Sequence, residues 1–165
     1  MQHTWTIFLL GGVLILVVGI LWRRFHKSQL VAARQSAILR FEELRQALED
    51  LFLQQAAATG KPRGLRWLAC ELQGDPLFAV DPKQDTLFAL VTTTIRFEAI
   101  EGGDMEEVEA VGNLRTATAV FVYHNDQWTT DGRAVFNLDP TETCERFQLD
   151  NRQRQRTEPR SHGEH

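Results

Sequence analysis

Thr86-Leu-Phe-Ala-Leu-Val-Thr-Thr-Thr-Ile-Arg-Phe-Glu-Ala-Ile100 is the stretch that decides the fold. Leu87, Ala89, Val91, Thr93, Ile95, Phe97 and Ala99 recur at every second position. A strand sets such residues on one face, whereas a helix scatters them around its axis. The β-branched and aromatic content favours the pleated backbone as well. So long a strand needs neighbours, and the flanking sequence supplies them.

Upstream, Asp81-Pro82-Lys83-Gln84-Asp85 reads as a hairpin loop leading back to a short strand, Leu77 to Val80. Gly74-Asp75-Pro76 breaks the chain before it. Leu65 to Gln73 alternates again, with Leu68, Cys70 and Leu72 on one side and Leu65, Trp67 and Ala69 on the other. Downstream, Glu101 to Asn113 is an acidic, Gly-containing loop. Arg115 to His124 returns as a strand, with Ala117, Ala119, Phe121 and Tyr123 opposed to Val120 and Val122. Asn125-Asp126-Gln127 turns it into Trp128 to Leu138, broken near Asp131-Gly132. Asp139-Pro140-Thr141-Glu142 opens a short helix, with an N-cap, a proline at the first helical position and Glu three after the cap. Cys144, Phe147 and Leu149 are its inward residues.

Ahead of the strands, Ser28 to Thr59 contains no Gly or Pro and is rich in helix formers. Leu30, Ala37, Phe41, Leu44, Leu48 and Leu51 recur mostly three and four apart, with Phe52 beside the last. The expected fold class is α+β: one long helix packed on a four- to five-stranded antiparallel sheet, preceded by a single N-terminal transmembrane helix. The same stripe is compatible with a short coiled coil, which would make the chain a homo-oligomer.

That transmembrane helix is expected over Trp5 to Trp22, eighteen residues without an ionisable group, twelve of them Leu, Ile, Val or Phe. A helix of this length spans about 27 Å against a hydrocarbon core of about 30 Å. Trp5 and Trp22 would sit at the two interfaces, with Arg23, Arg24 and Lys27 just beyond. A cleaved signal peptide carries its positive charge before the apolar core; here the basic residues follow it. The positive-inside rule then places the C-terminal domain in the cytoplasm and the N-terminus outside, at a bacterial inner membrane. The expected organisation is an external N-terminus over 1–4, the span over 5–22, and a basic segment and long helix over 23–59. The β-rich part with its short C-terminal helix follows over 60–150, and a disordered tail over 151–165.

The formal net charge of −4 implies no general affinity for nucleic acid. Membrane lipids, anionic ones in particular, and a protein are the expected partners. Cys70 and Cys144 are the only cysteines and lack C-x-x-C spacing, so they read as reduced, buried small hydrophobes. Their oxidation to each other would signal the opposite topology.

Chemistry is sparse. Glu101, Asp104, Glu106, Glu107 and Glu109 cluster in the acidic loop, but without the alternating ligands and central Gly of a calcium loop. They are read as a candidate partner loop rather than a metal site. Gly102-Gly103 lacks the Lys-Ser/Thr of a phosphate loop. No nucleophile elbow or paired catalytic carboxylates can be identified, and neither a cofactor, a metal nor a catalytic residue is expected. Trp67, Tyr123, His124 and Trp128 form a candidate cleft between helix and sheet.

The order of one long helix and then a curled antiparallel sheet, with Asn-Asp-Gln-Trp at 125–128, resembles the cystatin-like and NTF2-like α+β plan. That plan hosts enzymes, binding modules and assembly domains, so it implies architecture only. The stretches Gly60 to Trp67, Phe97 to Leu114 and Trp128 to Phe136 resemble an uncharacterised family of small planctomycete single-pass membrane proteins, over most of residues 60–147. This resemblance implies no activity and directs attention to the acidic loop. The expected function is a membrane-tethered, non-enzymatic binding or assembly module; the alternatives are a small-ligand binder or enzyme using the cleft, and the homo-oligomer.

Overall fold

The computed structural model describes residues 17–22, 32–59, 64–102 and 114–151. The chain divides into two compact units, Met1–Ile38 and Leu39–His165. In the first, residues 17–22 and 32–38 are helical.

The second unit is α+β. Its sheet contains β1 (Leu65–Asp81), β2 (Thr86–Ala99), β3 (Arg115–His124), β4 (Gln127–Thr129) and β5 (Ala134–Phe136), all antiparallel to their neighbours. The order is β1-β2-β3-β4, with β5 pairing β3 beside β4. The alternation of 86–100 is realised: Leu87, Ala89, Val91, Thr93, Ile95 and Phe97 are all buried. Their partners in β3 include Phe121 opposite Ala89 and Ala119 opposite Val91. The β3–β4 turn consists of Asn125 (φ 49°) and Asp126 (φ 60°). Two consecutive left-handed residues match the twist of a tight hairpin, and Asn and Asp tolerate that region.

β1 corrects the reading of two strands. Gly74-Asp75-Pro76 does not end it; the three residues are accommodated within one strand as a register shift between Gln73 and Leu77, with Gly74 at φ 66°. A second shift, between Trp67 and Ala69, leaves Leu68 without a register partner. A bulge reverses the side-chain parity beyond it. Trp67 and Cys70 therefore both face the helix, and Leu68, expected beside Cys70 and Leu72, is 45% exposed.

The helix is also corrected. In place of one long helix over 28–59, this unit has helical residues 39–43, an interruption at Leu44 (φ −95°, ψ 1°), and α1 over Arg45–Ala58. Residues 28–31 lie outside the described ones. A straight rod diverges from a twisted sheet along its length. Interrupted at Leu44, the two pieces each set a phenylalanine on Phe121, Phe41 at 5.4 Å and Phe52 at 5.9 Å between ring centroids.

The expected transmembrane helix is likewise not borne out. Among the described residues no helix is long and apolar enough to cross a membrane. Of the apolar run only residues 17–22 are described, and six helical residues rise about 9 Å, a third of a bilayer core.

The other sheet face is covered locally by α2 (Pro140–Arg146). Asp139 accepts a hydrogen bond from the Glu142 backbone N–H at 2.8 Å, and the Glu142 carboxylate accepts one from the Asp139 N–H at 2.9 Å. This capping box satisfies two otherwise open donors. Cys144 packs with Leu77, Ala79, Leu90 and Val120, while Phe147 and Leu149 extend the cluster as read from the sequence. The sheet thus stands between Cys70 and Cys144. Both are free thiols, and no topology of the chain would let them bond to each other within this fold.

The break between β4 and β5 packs tightly against α1 at Gly132. Gly132 has φ 74°, and a Cβ there would lie 2.2 Å from the Ala56 backbone nitrogen and 2.5 Å from the Gln55 carbonyl carbon. Thr130 fixes the turn: its hydroxyl donates to the Val120 carbonyl at 2.7 Å and accepts from the Gly132 N–H at 3.1 Å. The bend thereby brings the sheet backbone directly against the C-terminal turn of α1.

Candidate functional site

The space between α1 and the sheet, where the sequence places a cleft, is filled by a continuous run of rings. From one end it passes Phe97, Trp67, Phe52, Phe121, Phe41 and Trp128, with successive centroids 4.8, 6.2, 5.9, 5.4 and 5.0 Å apart. Most neighbours meet edge-on, the arrangement that sets the positive ring rim against a negative face. Tyr123 continues the run beyond Trp128 at 5.2 Å. The candidate cleft residues therefore separate. Trp67 lies at one end, Tyr123 and Trp128 at the other, and His124 is exposed at the end of β3.

Each end opens into a groove. Trp67 shares a cavity of about 560 Å³ with Thr59, Gly132, Arg133, Ala134 and Phe136. Tyr123 and Trp128 share one of about 310 Å³ with Leu44 and Leu51 of the helical side. A third, of about 370 Å³, involves Thr92, Leu114, Thr116, Phe136 and Asn137. Phe136 borders both the first and the third, so β5 runs between two grooves.

The two edges of the sheet are treated differently. At β1 the outward backbone is occupied. Glu49 accepts a hydrogen bond from the Leu72 N–H at 2.8 Å, and Arg45 donates to the carbonyls of Leu72 at 3.3 Å and Gly74 at 2.6 Å. Farther along, Val80 and Asp150 exchange backbone hydrogen bonds at 2.9 and 2.8 Å. Pro76 between them has no N–H to offer. Charged side chains and proline are the usual means of blunting an edge.

At β5, on the opposite side of the sheet, no such clamp exists among the described residues. Val120 donates to the Arg133 carbonyl at 3.1 Å. Backbone groups alternate in direction along an antiparallel strand, so Val135, opposite Thr118, also points at β3. Ala134 and Phe136 then point their N–H and C=O groups away from the sheet. Two exposed apolar side chains lie together beside this edge: Phe136 (37%) and Leu114 (62%).

Reactive groups are held back. Burial raises the Cys70 thiol to about 12, reinforced by the Glu49 and Asp50 carboxylates, and burial likewise raises Cys144. Both sulfurs stay protonated and un-nucleophilic near neutrality. Among the described residues no group of three His, Cys, Asp or Glu is placed to hold a metal ion.

Of the candidate partner loop, Glu101 is described and exposed; Asp104, Glu106, Glu107 and Glu109 lie outside the described residues. Leu114, the first described residue after them, borders the same cavity as Phe136. Of the membrane-interface residues, Trp22 is helical and 71% exposed, while Trp5, Arg23, Arg24 and Lys27 lie outside the described residues. Sequence reasoning passed over Ala134 and Phe136, because Ala-Val-Phe carries no sign of which side of a strand lacks a neighbour. No protein-family model, curated protein or solved structure matches the chain.

Proposed function

We propose that this chain is a non-enzymatic binding or assembly module that works at a membrane surface and engages a protein partner at the β5 end of its sheet. The observation that carries this reading is the pair Leu114 and Phe136, both exposed and both bordering one cavity beside β5. Surface apolar residues scattered singly mean little, but a cluster beside unpaired backbone is costly to leave in water and fits a contact surface. The acidic residues that precede Leu114 in the sequence would add charge complementarity to a basic partner. The charge-free run Trp5 to Trp22 with Arg23, Arg24 and Lys27 supports attachment to an anionic bilayer, with the second unit on its cytoplasmic side.

Affinity purification of the full chain from native membranes tests the reading when run beside two variants. One carries Leu114→Ser and Phe136→Ser, the other reverses Glu106, Glu107 and Glu109 to Lys. A partner retained by the parent and lost from the first variant, with unchanged circular dichroism, is the expected result. An identical set of co-purifying proteins from all three chains would sink it. Flotation with vesicles containing anionic lipid checks the location: a chain that stays at the bottom of the gradient contradicts it.

The groove beside Trp67 favours a second reading, a binder of a small apolar ligand. Its volume falls in the range of small-molecule pockets. Saturable quenching of tryptophan fluorescence by such ligands, abolished in Trp67→Leu, would support it.

A further inference from the structure

We propose that the partner is bound as an extended peptide that pairs with β5 and lengthens the sheet by one strand. This inference rests on the protein-binding reading above and names the form in which the partner is held.

Ala134 and Phe136 present outward N–H and C=O groups with no partner among the described residues, next to a ladder in which Val135 is already engaged by β3. An added strand is the chemistry that satisfies alternating outward donors and acceptors at strand spacing. The fold closes the β1 edge to the same event with Arg45, Glu49 and Asp150, and it leaves β5 without a charge or a proline. The contrast marks β5 as the edge kept available.

The grooves define the peptide. Successive side chains of an added strand point to opposite faces. On the face shared with α1 they would meet the 560 Å³ cavity, whose walls include Trp67, Ala134 and Phe136, which suits a bulky apolar side chain. On the other they would meet the 370 Å³ cavity beside Thr92, Thr116 and Asn137, which suits a small hydroxyl side chain. The expected ligand therefore alternates Phe or Val with Thr or Ser. A second copy is the poorer occupant, because pairing two three-residue β5 strands cannot approach the roughly 1,200 Å² of a stable interface.

The probe is a capped heptapeptide, Thr-Val-Thr-Phe-Thr-Val-Thr, titrated into the full chain in detergent micelles and followed by NMR. Amide exchange is read at Ala134 and Phe136. Saturable binding that slows exchange at those two amides is expected. Ala134→Pro removes an outward N–H while leaving the bonds of Val135 to β3, and should weaken binding at least about tenfold. The peptide N-methylated on the residues facing β5 should fail to bind, and the peptide methylated on the intervening residues should bind. That pair keeps the test valid if Ala134→Pro does not fold. No binding at millimolar peptide, protection at other amides, or equal binding of both methylated peptides overturns strand addition. Loss of a native partner from the Leu114→Ser, Phe136→Ser chain alongside any of those results would leave the protein-binding reading standing. Retention of that partner would overturn both.

Discussion

Replacing Gly132 with alanine should be among the most destabilising single-methyl additions available in this fold. Two costs combine. The left-handed backbone at φ 74° costs an alanine about 1–2 kcal/mol. The new Cβ would also lie 2.2 Å from the Ala56 nitrogen, 1.2 Å inside the 3.4 Å at which ordinary contact begins. The opposing atoms are helix backbone and not the end of a flexible side chain, so α1 must move off the sheet; overpacking of this kind costs about 1–3 kcal/mol. The sum, about 2–5 kcal/mol, is a large part of a typical stability of about 5–15 kcal/mol. Gly74→Ala is the control, since Gly74 has a similar φ of 66° but nothing within 4 Å of its Cβ position. Urea unfolding followed by tryptophan emission should show Gly74→Ala shifted by about 0.5–1 M, the backbone cost alone, and Gly132→Ala shifted by about 1–2.5 M, at a slope of about 2 kcal/mol/M. Equal midpoints for the two variants would refute the close packing of the 130–133 bend on α1.

Leu68→Thr should change stability by less than about 0.5 kcal/mol, whereas Leu72→Ala should cost about 2–5 kcal/mol; similar costs would contradict the bulge between Trp67 and Ala69. Glu49→Ala leaves the Leu72 N–H without its acceptor and should cost about 1–3 kcal/mol, with faster exchange of that amide; unchanged exchange would contradict the clamp on β1. Cys70 and Cys144 should resist aqueous thiol reagents at neutral pH until the chain is denatured, and a non-reducing gel should show no bond between them. The Cys70 thiol lies above its ordinary value of 9.0, at about 12, so the folded state holds the proton more tightly than the unfolded one. Its contribution to stability is therefore complete below pH 9 and declines as the pH rises toward 12; denaturation midpoints that climb across that window would contradict the burial.

Legibility followed the range of the interactions involved. The alternation of Leu87 to Phe97, the left-handed pair Asn125-Asp126 and the box formed by Asp139 and Glu142 are decided by neighbours a few residues away. All three appear in the structure where the sequence places them. Trp67 and Trp128 share a ring-lined layer as their strand positions suggest, but Phe41, Phe52 and Phe121 fill the space between them. Composition could not distinguish a packed layer from a cleft, because the same aromatics serve either. Leu68 departs from the strand alternation for a different reason. A single bulge inverts every later residue of a period-two pattern, and Leu65 to Gln73 is apolar on both sides, so neither parity is penalised locally.

What the sequence determined alone was the mixed α+β character, the long central strand, its hairpin turns and the small cap-initiated helix. Each follows from backbone preference and local periodicity. Tertiary structure decided that the helical segment is interrupted at Leu44, that the two cysteines lie on opposite faces, and that β1 is closed while β5 is open. Those outcomes depend on which backbone groups meet a partner far away in the chain. Hydrogen-bonding direction along a strand is fixed only once its register with a distant neighbour is fixed, and no local pattern in Ala134-Val135-Phe136 encodes that register.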